Sequence, residues 1–120
     1  MSRLNMSSLI QQFPKSGAAL NPTYSVLTGY TGIQWSSTGR EILAIINGAT
    51  ASNYTINYAP GYNGAVVTPI TAACPTSNTA PVFLGPFNSY FTQNDGNSSI
   101  YIDFSSVATV TVAVLQLPGV

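Results

Sequence analysis

Few residues in this sequence are equipped for chemistry. Asp95 and Asp103 are the only aspartates, and a carboxylate pair is what glycoside hydrolysis requires. Asp95, however, precedes Gly96 in an evident turn, and Asp103 falls on the polar face of a strand beside Tyr101. Both read as structural. Cys74 has no histidine anywhere in the chain to activate it, so a Cys-His nucleophile is excluded by composition. It reads as a small, half-buried and inert residue ahead of Pro75. Serine hydrolysis fails for the same lack of His, and neither Gly-x-Ser-x-Gly nor Ser-x-x-Lys occurs. Metal centres draw on His, Cys or clustered carboxylates, which the chain does not assemble. "GYTG" and "GYNG" lack the Lys or the following helix of a phosphate cradle and read as turns. The expectation is a protein without catalytic residues, cofactor or metal.

Aromatic side chains leave one binding chemistry open. Trp35 with Tyr54, Tyr58 and Tyr62 could offer a stacking platform for a sugar, centred on "NYAPGYNG". The competing reading is sheet packing, because alternating Tyr on a half-buried strand serves a core. Trp35 in "GIQWSS" fits a core or an interface anchor better than a ligand shelf.

The elements that would position these residues follow from composition and pattern. The 120 residues suit one domain, and six are charged: Arg3, Lys15, Arg40, Glu41, Asp95 and Asp103. That is about a fifth of the usual charged share, with Ser, Thr, Asn and Gly making up the difference. Net charge is zero. Such a surface is poorly defended against association, so the sequence suggests a protein covered by partners. Three scattered basic residues cannot form a phosphate-tracking stripe, which argues against nucleic acid. No apolar run reaches the length of a membrane span, and "MSRLNMSSLIQQFPK" lacks the apolar core of a secretory signal. With a single cysteine, the chain reads as folded in a reducing cytoplasm.

Two regions differ in pattern. Residues 1–22 lack alternation, hold the breakers Pro14, Gly17 and Pro22, and read as an N-terminal arm. Leu4, Met6, Leu9, Ile10 and Phe13 have no periodic core to join there, which makes them candidate partner contacts. On that reading, deleting residues 1–13 leaves the remaining domain folded. Residues 23–120 read as strand, turn, strand. "REILAIIN" is a continuous apolar run suited to a strand covered on both faces. "SNYTINYA" alternates, with Tyr54, Ile56 and Tyr58 opposite Thr55 and Asn57. "CPTSNTAP" reads as a turn. In "ATVTVAVLQL", Val110, Val112 and Val114 share a face opposite Thr109, Thr111 and Ala113. The expectation is an all-β fold, an antiparallel β-sandwich or jelly roll with an N-terminal arm.

The stretch "FLGPFNSYFTQNDGNSSIYIDF" then reads as a corner of that sandwich. Pro86 ends a strand or marks an edge, "NDG" at 94–96 turns the chain, and Ile100, Ile102 and Phe104 enter the core. Taken with "EILAIINGATASNYTINY" and "SSVATVTVAVLQL", it resembles small virion proteins of tailed bacteriophages. The resemblance covers about residues 40–117 and rests on Asn47-Gly48, Tyr54 to Tyr58, Gly85-Pro86-Phe87, Asp95-Gly96 and Val110 to Leu117. It implies a capsid decoration (cement) protein, often a homotrimer, made in the host bacterial cytoplasm. Such a protein is seated on the capsid exterior over junctions between major capsid protein subunits, and its arm reaches onto neighbours. Head-tail and tail modules share such domains, so the resemblance leaves the place in the virion open. A module that binds host-surface glycans is the reading from a different class.

Overall fold

The computed structural model describes residues 3–14, 16–57, 70–74, 76–87 and 98–117, with the backbone alone for 77–80. Strands occur at Arg3–Asn5 (β1), Gln11–Gln12 (β2), Ser25–Val26 (β3), Gly32–Ser36 (β4), Glu41–Asn47 (β5), Ser52–Ile56 (β6), Ile70–Cys74 (β7), Ser77–Leu84 (β8), Ser99–Phe104 (β9) and Val110–Gln116 (β10). A single 3₁₀ turn, Ser7–Leu9, is the only helical element among the described residues. The strands form two sheets, ordered β1-β4-β9-β6-β7 and β2-β10-β5-β8, with β3 beside β2 along the outer edge of β10. The fold is an all-β sandwich.

Alternation decides what lies between the sheets. Ile33 and Trp35 of β4, Leu43 and Ile45 of β5, Ile100 and Ile102 of β9, and Val110, Val112 and Val114 of β10 fill the interior. Ile56 joins them, while Thr55 on the opposite face bonds the Thr71 hydroxyl. β5 is covered on both faces, as its unbroken apolar run requires. Its outward Ala44 lies with Ala113 and Leu115 in a second, smaller cluster, roofed by Phe13, Leu20 and Tyr24. Tyr58 and Tyr62, Asp95 and the 94–96 turn lie outside the described residues.

One expectation is corrected and two gain detail. "CPTSNTAP" is not a turn throughout: β8 begins at Ser77 and carries Pro81. Its place at the sheet edge explains this, because an edge strand tolerates a missing N–H. The pairing is not wholly antiparallel either, since β1 runs parallel to β4 and β2 parallel to β10. Finally, residues 3–13 do not stand apart as an arm. They form a strap that passes from the edge of one sheet to the edge of the other. The backbone of Met6 donates to Gln34, and that of Phe13 to Gln116. Met6, 1% exposed, is part of the main core. Lone apolar residues joined this core without strand periodicity because the strap lies along sheet edges, where two or three ladder positions suffice.

Candidate functional site

The three basic residues are scattered along the sequence; the fold brings one of them, Arg3, beside Asp103 on the outer face of the first sheet. Arg3 lies opposite Gly32, Gly32 opposite Asp103, Asp103 opposite Thr55, and Thr55 opposite Thr71. One row therefore crosses all five strands. Arg3 Nε donates to Asp103 Oδ1 and Nη2 to Oδ2, both at 2.7 Å. Gly32 makes this reach possible. A Cβ there would lie 2.6 Å from Asp103 Oδ1 and collide with the carbonyl of Ile102. The guanidinium carbon sits 4.3 Å from the centre of the Tyr101 ring, a cation–π distance. Asn57 Nδ2 adds a third hydrogen bond to Asp103, at 3.0 Å.

These contacts fix what Asp103 can do. Both of its oxygens already accept, one from Nε and one from Nη2 and Asn57, in a fork that matches guanidinium to carboxylate. The residue crosslinks the sheet.

A second polar cluster surrounds Glu41, which is buried at the start of β5. Burial alone would push its carboxyl up, but hydrogen bonds hold it below the usual value. The donors are the hydroxyl and backbone N–H of Thr38, the Gln116 amide and the Ser37 hydroxyl, at 2.6, 2.7, 2.8 and 3.3 Å. All four are neutral, so the carboxylate organises the turn at 37–40 and ties it to β10. Arg40 next to it donates to the carbonyl of Leu117. At the far end of β5, Asn47 is buried, accepts from the Thr109 hydroxyl at 2.7 Å and donates to the carbonyl of Thr50 at 2.9 Å.

The remaining candidates are placed as follows. Cys74 is more deeply buried than expected, and that burial pushes its thiol up, away from the reactive thiolate. Trp35 is fully buried against Phe87, edge to face at 5.6 Å, and is therefore removed from any sugar shelf. Its indole N–H has no partner among the described residues. Of the five apolar residues proposed as partner contacts, Met6 is spent inside the chain's own core. Leu4 and Ile10 pack half-buried against that core, and Phe13 packs on the outer cluster. Leu9 alone stays exposed, at 44%. They had no visible role because their partners are distant in sequence.

Among the described residues the other exposed large apolar side chains are Ile70 on β7, at 41%, and, most exposed of all, Phe83 and Val26, at 60% and 66%. Phe83 lies opposite Ala44, and Val26 opposite Thr111. Phe83 and Val26 therefore sit on the outer face of the second sheet, flanking the roof of Phe13, Leu20 and Tyr24. The sequence did carry one signal for the Arg3–Asp103 link, a glycine inside a strand, which marks close approach. Among the described residues, no group of three or more His, Cys, Asp or Glu could hold a metal ion. No helix there is long and apolar enough to cross a membrane. No protein family, characterised protein or solved structure matches the chain.

Proposed function

We propose that this is a structural protein that works by covering and being covered: a capsid decoration protein bridging major capsid protein subunits on a tailed-phage head. One observation carries the reading. All four charged side chains among the described residues, Arg3, Arg40, Glu41 and Asp103, bond within the chain. Among the described residues, what remains for partners is largely Ser, Thr and Asn, with Phe83 and Val26 as apolar anchors. A nucleic-acid binder needs basic side chains directed at phosphate; a protein sealed against a neighbour does not. The resemblance over residues 40–117 supports the same reading. A homotrimer engaging several subunits would gain from multivalency, so that individually weak contacts suffice.

The test is sedimentation of the purified protein with empty phage heads lacking their decoration protein. Saturable binding at a fixed number of copies per shell is expected, and Phe83→Ser should weaken it. Absence of saturable binding, together with retention on a glycan array, would overturn the reading in favour of glycan recognition.

A further inference from the structure

We infer that residues 3–13 are an exchangeable strap, seated on its own sandwich in a lone chain and on that of a second copy when chains are concentrated. Three observations lead there. First, every ladder contact of the strap is with an outermost position: β1 lies only against β4, and β2 only against β10. Lifting the strap opens two edges and breaks no interior ladder. Second, the strap is joined to the sandwich through Pro14 and residues 16–19, all of them exposed. The described hydrogen bonds there are long, 3.4 Å from Gly17 N to Pro14 O and 3.5 Å from Ala18 N to Ser16 Oγ. Pro14 favours extended chain, which suits a hinge that can point outward. Beyond it, Leu20 and Tyr24 hold the following segment to the outer cluster, so the movable part ends at the hinge.

Third, the strap's contacts specify their acceptor. The fork from Arg3 to Asp103, the ladder to β4, the Met6 side chain in the core and the Phe13 backbone bond to Gln116 define one seat. A second copy offers the identical seat, so an exchanged pair recovers all of these contacts. Exchange of an identical element is a low-cost route to dimers. Net charge is zero, so long-range repulsion does not keep two copies apart. The closed form is favoured by the effective concentration of its tether, in the millimolar range for a short flexible linker. Exchange therefore takes over when chains are held together at comparable density, or when the hinge is too short to close. This holds wherever the protein acts, since it needs only the chain itself.

The experiment uses two single-cysteine copies in a Cys74→Ala background, one Asn5→Cys and the other Gln34→Cys. These positions are register partners of β1 and β4, so a disulfide between the two copies requires the strap of one to lie on the other. The copies are unfolded together, refolded at about millimolar concentration, oxidised with glutathione and read on a non-reducing gel. A mixed dimer several-fold above the control pair, Asn5→Cys with Thr50→Cys, is expected. A mixed dimer no more abundant than the control would overturn the proposal. If either variant loses its native fold, Ser7→Cys with Ser36→Cys replaces the pair, because Ser36 N donates to Ser7 Oγ at 2.9 Å. Independently, removing residues 16–19 should raise the mass by light scattering above that of the parent chain at the same concentration. A shortened chain with the parent's mass would count against exchange.

Discussion

Arg3 and Asp103, a hundred residues apart, meet in a two-pronged ion pair that passes over Gly32, the residue between them in the sheet. The pair is about a third exposed, at 29% and 33%, so its coupling in a double-mutant cycle should be modest, ~0.5–1 kcal/mol. Gly32→Ala should cost more, about 1–3 kcal/mol, because the new methyl must displace backbone as well as the carboxylate. Chemical denaturation of Arg3→Ala, Asp103→Asn, their double variant and Gly32→Ala tests this ranking.

Met6 is the strap's firmest attachment. Met6→Ala should destabilise the fold by about 2–5 kcal/mol, as large-to-small changes in a core do. Deleting residues 1–13 should lower the melting temperature by more than Met6→Ala does. This reverses the expectation that the segment is dispensable, since it completes two sheet edges and plugs the core. An unchanged melting temperature in the truncated chain would show that the strap contributes nothing.

Glu41 makes stability depend on acid. Its folded carboxyl titrates below the ordinary value, near 4.3 for an unfolded chain. The stability it contributes is therefore fully present above that pH and is lost as pH falls through the lower, folded value. Glu41→Gln should cost ~1–3 kcal/mol at neutral pH, because the new amide group faces donors. The gap between variant and parent should narrow below about pH 4, which melting curves across pH will show.

Cys74 should react with a thiol reagent only as the chain opens, because it is buried and its thiol is held protonated. Labelling in the native state at a rate near that of a free thiol would contradict this placement.

Phe83→Ser should leave folding nearly unchanged, within about 0.5 kcal/mol, because the ring is mostly in solvent. Under the proposed function its effect should fall on binding to phage heads, measured by the sedimentation experiment above.

What the sequence disclosed was set by distance along the chain. Val110, Val112 and Val114 announce a buried face through local alternation, and the structure places all three in the core. The strap is different. Leu4, Met6 and Ile10 carry no period, yet all three join one core cluster whose other members come from strands far along the chain. Pro81 misled in the opposite sense: a residue that signals a turn inside a sheet is tolerated at its edge, and the edge is a property of the finished fold. Asp103 was correctly placed beside Tyr101 on a polar face, but the identity of its partner depended on the register of β1, β4 and β9.

The parallel run of β2 beside β10 also sets how the sandwich bears tension. When the leading end of β2 and the trailing end of β10 are drawn apart, the strands slide along each other. The ladder at 11–12 and 115–116, with the backbone bond from Phe13 to Gln116, then shares the load in shear. Antiparallel strands peeled from one end would release their bonds singly. Such a clamp resists stretching in the direction in which its bonds act together.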